Sequence, residues 1–295
     1  EAGPAPAANG AWGRVIGQGG NRDGGCPVTV GPTFDYWFAA VQAGFDAIRL
    51  QDASGARDRA GVYGVIGGAQ SNVQSETRAD AGSDRFAAYS VGGYWTHYGA
   101  WGWYLDGVTQ GTFYDVRDES TRLPALVDNG WGFAASLEAG IPFGGLLGGW
   151  GLLGGLTVEP QAQLVYQTID LGDARDIGAR VRFEDVNSLA GRLGVRFVTK
   201  LAMPGFWVLP PALGTVWFRP NYWHEFNDDA HTEFSSAFGF LPFRSNIAED
   251  WVELNTGLTM QVDRHTALYA TGSYNLATDG NGQAWEGRIG LKVAW

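Results

Sequence analysis

Residues 285–295 read WEGRIGLKVAW. Taken alternately, one face carries Trp285, Gly287, Ile289, Leu291, Val293 and Trp295, and the other carries Glu286, Arg288, Gly290, Lys292 and Ala294. Successive side chains of a strand point to opposite sides, so this segment has one wholly apolar face and one charged face. Its length suits a tilted membrane-spanning strand of about 9–11 residues. Soluble proteins also make amphipathic strands, so the fold turns on whether the pattern recurs.

It recurs along the chain. Residues 11–19 (AWGRVIGQG) set Arg14 and Gln18 against Val15, and residues 36–50 set Val41, Ala43, Phe45 and Ala47 against Gln42, Gly44 and Asp46. Residues 61–75 are strand-like, but too rich in glycine for their faces to be assigned. Residues 86–98 set Tyr89, Val91 and Trp95 against Ser90, Tyr94 and Thr96, and residues 102–115 set Trp103 and Leu105 against Tyr104, Asp106 and Gln110. Glu138 (130–143), Glu159 (156–170), and Arg192, Arg196 and Lys200 (188–200) stand opposite apolar rows in the same way. So do Arg219 and Glu225 (215–226), Glu253 (251–262) and Ser273 (266–276). With the terminal segment, the count is twelve.

The connections alternate between long and short. Residues 20–37, 76–85, 115–128 and 227–250 read as long, mostly polar loops, the last with an apolar stretch (FSSAFGFLPF) expected to form a hairpin beyond the membrane. Short turns on one side and longer loops on the other are the habit of an outer-membrane barrel. An even strand number then puts both ends of the barrel on the periplasmic side. Tryptophans near segment ends (Trp12, Trp37, Trp101, Trp131, Trp223, Trp251, Trp285, Trp295) stand where interfacial girdles are expected. Two apolar turns, 144–155 and 202–214, break the pattern and have no assigned role.

Composition agrees. The 295 residues hold 45 glycines, 14 % aromatics and only 17 % charged residues, below the usual quarter. No run approaches the ~20 apolar residues of a membrane helix, and a closed barrel is the strand solution that leaves no backbone group unpaired in lipid. A net charge of −11 argues against nucleic acid as a partner, since phosphates demand Lys and Arg. Cys26, the one cysteine, makes neither an internal disulfide nor a metal cluster. Residues 1–10 read as a Pro/Ala linker remnant ahead of a barrel domain over 11–295. No signal peptide stands at Glu1, which predicts a processed or excised piece.

Enzyme readings are weak. The four histidines (His97, His224, His231, His265) are dispersed and lack metal-ligand spacing. His224 with Asp228 and Asp229 at an outer rim would need two further acids across the wall to act as a protease. No GxSxG elbow occurs. The expectation is a protein without catalytic residues, metal or cofactor.

The order of local phrases resembles the C-terminal translocator domain of autotransporters, the type V secretion proteins of Gram-negative bacteria. The phrases are AWGRVIGQ, VQAGFDAI, WYLDGVTQ, AASLEAGIPF, VEPQAQLVYQ, LAGRLGVRF, FRPNYWHEF, WVELNTGL, ALYATGSYNL and EGRIGLKVAW. The resemblance implies an all-β, twelve-stranded antiparallel transmembrane barrel in the outer membrane, monomeric, amid lipid and lipopolysaccharide. It also covers Pro160 and Pro220, which stand inside expected strands where a missing N–H is normally excluded. It implies assisted export of the protein's own N-terminal passenger segment. The barrel-assembly machinery would read the C-terminal signal formed by Leu291, Val293 and Trp295. The family usually threads a helix through the pore ahead of the first strand; residues 1–9 are too short and Pro-rich for one, and nothing here supports self-cleavage. A passive outer-membrane pore, or a surface adhesin without a passenger, is the competing reading. In either case the expected lumen is lined by Arg14, Asp46, Asp106, Glu138, Glu159, Arg192, Arg196, Lys200, Arg219, Glu225, Glu253, Glu286, Arg288 and Lys292, laced by ion pairs.

Overall fold

The computed structural model describes residues 10–23, 33–74, 80–120, 126–144, 155–171, 174–175, 180–183, 186–203, 212–227, 230–236, 239–245 and 249–295. Twelve long strands form the wall: β1 (Gly10–Asp23), β2 (Thr33–Gln51), β3 (Arg57–Gln74), β4 (Asp80–Tyr98), β5 (Tyr104–Ser120) and β6 (Leu126–Gly140). They continue as β7 (Thr157–Leu171), β8 (Val186–Met203), β9 (Ala212–Glu225), β10 (Asp250–Gln261), β11 (Thr266–Ala277) and β12 (Gly282–Ala294). Each pairs antiparallel with its sequence neighbours, and β1 pairs with β12 from Gly10↔Ala294 to Arg22↔Gly282. The ring is closed, as lipid demands of any strand structure.

The alternation of the sequence becomes the two faces of the wall. Val15, Val41, Ile66, Val91, Leu193 and Ile289 are 58–73 % exposed on the outer face. Gln42, Asp46, Glu159, Gln161, Arg192 and Asn221 are 8 % exposed or less on the inner one. Hydrophobic-out and polar-in is the inverse of a soluble core, and lipid is the solvent that makes it stable.

The wall is uneven in height. At one end, tight turns at 52–56, 99–103 and 262–265 lie flush with the chain ends of β1 and β12. Asp52 Oδ1 accepts from the backbone N–H of Ser54 (2.9 Å) and Ala56 (2.9 Å). That local bonding suits an Asx turn, closed by Gly55 at a φ of 89°. Asp263 Oδ1 accepts from the N–H of His265 (2.7 Å) and Thr266 (2.8 Å) in the same manner. The other end is tall. Asn21–Asp23, Thr33–Asp35, Asp80–Arg85 and Arg117–Ser120, read from sequence as loop, belong to paired strands. Beyond the lipid both faces of a hairpin arm are wet, so the arm persists without the amphipathic signature.

The expected hairpin in the β9–β10 connection is present: Ala230–Ser236 pairs with Gly239–Ser245, and also with Arg180–Phe183 from the β7–β8 connection. Phe143 and Gly144, where the 130–143 segment meets the first apolar turn, pair with β7 at Val158 and Thr157. Residues 145–154 and 204–211 of the two apolar turns lie outside the described residues, as do residues 1–9 and Asp228 and Asp229.

The two strand prolines differ in what the missing N–H costs the ladder. Pro160 turns its carbonyl to the N–H of Ile141 (3.1 Å), just past the end of β6. Pro220 has no N–H for Val195, and the β8–β9 ladder lapses between Gly194↔Asn221 and Phe197↔Phe218.

Glycines let aromatic rings lie flat on the wall. Tyr63 faces Gly92, Tyr94 faces Gly61, Tyr104 faces Gly140 and Tyr269 faces Gly290 across the strands, and each ring covers its glycine. Trp12 covers Gly44 so closely that a Cβ there would stand 2.6 Å from the indole. Rings over cross-strand glycines fill what would be gaps in the sheet and keep aromatic bulk against the wall.

Candidate functional site: the polar lumen

The lumen is built stave by stave from the inner rows. Around Asp46 on β2, the hydroxyl of Tyr94 donates (2.5 Å), Arg49 donates from the same strand, and Arg59 Nε approaches to 3.9 Å. Arg49 reaches this cluster through a β-bulge: the β2–β3 register shifts between Asp46 and Ile48. Strict alternation puts an odd-numbered residue of β2 on the lipid face; the extra residue turns Arg49 inward. Arg49 and Arg59 are thus lumen residues that the sequence pattern did not reveal. Two signals bore on them: the acid three residues before Arg49, and Tyr63, which marks the odd residues of glycine-rich β3 as inward.

A second cluster spans β5 to β9. Glu138 accepts from the Tyr104 hydroxyl and from Arg192 Nη2 (2.6 Å). Gln161 donates to Glu159 (2.6 Å) and Tyr104 (2.8 Å), and accepts from Arg219 Nη1 (2.9 Å). Arg196 approaches Glu159 (3.8 Å) and lies over the Trp217 ring (5.0 Å). Arg192 lies over Trp223 at 5.6 Å, and Trp223 stacks on Trp251 with centroids 5.4 Å apart. Neutral donors hold the acids nearer the tall end. Glu253 accepts from Asn221 Nδ2 (3.0 Å) and Trp223 Nε1 (2.8 Å), and Glu225 from Ser188 Oγ (2.6 Å) and the N–H of Leu189 (2.7 Å).

On the closing staves, Arg14 donates to Gln42 Oε1 (2.6 Å) and lies over Trp12, while Arg288 pairs with Glu286 on its own strand (2.6 Å). Asp106 accepts from Thr96 Oγ1 (2.5 Å). Lys292 keeps the inward parity of β12, and Lys200 that of β8, where it is exposed near the flush rim. The structure therefore brings Glu138, Glu159, Arg192, Arg196 and Arg219 into one network and Asp46 into another. Among the described residues, Lys200 joins neither. Trp37, Trp101, Trp131, Trp285 and Trp295 are 52–90 % exposed, as girdle residues should be. Trp12, Trp223 and Trp251 do not join them: they turn inward to stack or to carry guanidinium groups. Toward the tall end the inner wall borders a cavity of about 880 Å³, where Gln42, Gln110 and Thr112 are interleaved with Ile16, Phe38 and Phe86.

The model of the autotransporter beta-domain matches residues 11–273. This chain belongs to that family. The pertactin autotransporter of Bordetella bronchiseptica is 27 % identical over 296 residues, covering 98 % of this chain and 29 % of its own length. The adhesin BmaC autotransporter of Brucella suis is 34 % identical over 167 residues, covering 55 % of this chain and 4 % of its own length. This chain thus spans under a third of these curated relatives. Among solved structures, the transport unit of AIDA-I from Escherichia coli has a TM-score of 0.74 at 15 % identity, covering 97 % of this chain and 90 % of that one. The beta domain of the Bordetella autotransporter BrkA has 0.70 at 21 %, covering 97 % and 99 %. These likenesses bear on the fold. This autotransporter barrel is an outer-membrane protein of a Gram-negative bacterium.

Proposed function

We propose that this barrel is the translocator that carries its own N-terminal passenger segment to the cell surface. The observation that carries the reading is the family match over residues 11–273, with curated relatives of which the chain spans less than a third. The geometry suits export, because amides, hydroxyls and paired charges interrupt the apolar side chains of the inner wall and offer a passing chain hydrogen bonds along its length. The outward row of Leu291, Val293 and Trp295 is the handle by which the barrel-assembly machinery inserts it. On this reading the barrel is a monomer amid lipid and lipopolysaccharide and performs no chemistry of its own.

The test places a signal peptide and a reporter segment ahead of Gly10 and asks whether external protease removes the reporter from intact cells. The expected result is cleavage with the barrel still folded, seen as heat-modifiable migration on a gel. A folded barrel whose reporter stays in the periplasm overturns the proposal. The lumen cavity of about 880 Å³ favours a second reading, a passive pore, which requires steady conductance and no passenger.

A further inference from the structure

We propose that the lumen selects for anions, so that this barrel passes chloride in preference to potassium although the protein as a whole is acidic. The chain carries 31 acids against 20 Lys and Arg, a net charge of −11, and its total charge alone points to the opposite preference. The inner wall reverses the balance. Among the residues whose side chains are described, most of the cations project inward, against fewer than half of the acids. Many acids stand instead in turns and hairpin arms, as Asp35, Asp52, Asp263 and Asp279 do.

Pairing sharpens the asymmetry. Asp46, Glu138, Glu159 and Glu286 each lie within 4 Å of at least one guanidinium and cancel locally. Two deeper guanidiniums are bound to neutral amides instead. Arg14 donates to the amide of Gln42 and Arg219 to the amide of Gln161, and neither has a carboxylate at ion-pair distance among the described residues. The acids held by neutral donors, Glu225 and Glu253, lie toward the tall end, where the barrel meets bulk water.

Unfilled donors point the same way. Arg192 and Arg219 each hold a buried Nε with no hydrogen-bond acceptor, and the Arg192 side chain is only 1 % exposed. Rings of fixed charge at the narrowest part of a pore set its selectivity. One uncompensated charge about 7 Å away in water changes the local abundance of a monovalent ion by roughly two- to threefold.

The measurement is the reversal potential of the purified chain in a planar lipid bilayer under a KCl gradient. The expected sign is that of chloride. Arg14→Gln combined with Arg219→Gln removes two charges without stranding a carboxylate, and should lower the chloride-to-potassium permeability ratio by at least about twofold. Arg264→Gln, in the exposed β10–β11 turn, makes the same kind of charge change outside the lumen and should leave the ratio unaltered. Heat-modifiable migration reports that each variant is folded. A potassium-selective or non-conducting wild-type barrel overturns the proposal, as does an unchanged ratio in a folded double variant. Anion preference and passenger export are separable: a barrel that exports nothing can still be anion-selective, and a cation-selective one can still export.

Discussion

Arg192 is 3 % exposed and bonded to Glu138 at 2.6 Å. Removing one member of a buried pair leaves the other uncompensated, but Glu138 keeps a 20 % exposed side chain toward the lumen water. Arg192→Ala should therefore lower the unfolding free energy in detergent by about 2 kcal/mol, less than the figure for a dry pair, and Glu138→Gln in that background should recover part of it. Insertion itself should persist in either single variant. An equal loss whether or not Glu138 is present would show that the two are not coupled. The glycine under each ring makes a second point at this scale. Gly290→Val places methyl groups where the Tyr269 ring lies, so the ring must leave the wall; a lowered urea midpoint is expected, whereas Gly287→Ala meets nothing within 4 Å and should be neutral. These ring–glycine pairs were invisible in the sequence because a cross-strand neighbour is fixed by register, which alternation alone does not supply.

The strands themselves were legible wherever lipid stands on one side and water on the other. β12 shows this best: Ile289 is 70 % exposed to the membrane while Glu286 and Arg288 pair inside. Ile289→Arg should destabilise the barrel by about 2–4 kcal/mol, whereas Thr271→Arg, across the register from Arg288 on the inner face, should still assemble. Equal defects in heat-modifiable folding would contradict the assignment of faces. Legibility ended where the two-solvent rule ends. The hairpin arms around Asn21 and Asp84 are wet on both faces, β3 is rich in glycine, and the bulge after Asp46 shifts the parity, so that strict alternation does not reveal Arg49 as inward. Turns obey a different chemistry. The hydroxyl and N–H of Ser54 and the N–H groups of Gly55 and Ala56 hold the Asp52 carboxyl below the ordinary aspartate value of 3.8. Because the folded value is depressed, the stabilisation is fully present above the unfolded value and fades as pH falls through the folded one. Amide exchange at Ala56 should accelerate on acidification in the wild type, and Asp52→Asn should remove that dependence.

The molecule as a whole presents lipid-facing apolar residues around its entire circumference, and it should remain folded in detergent and be lost from solution when detergent is withdrawn. Recovery as a detergent-free soluble monomer would refute the membrane assignment. The wall is not equally firm around that circumference. The β1–β12 closure runs unbroken over its register, while the β8–β9 ladder skips Val195 and Arg196 opposite Arg219 and Pro220. A hoop fails at its weakest joint, and here that joint is not where the two ends of the band were fastened. Deuterium should reach the middle of β8 and β9 sooner than the β1–β12 junction, so any sideways parting of the staves would begin on the far arc from the chain termini.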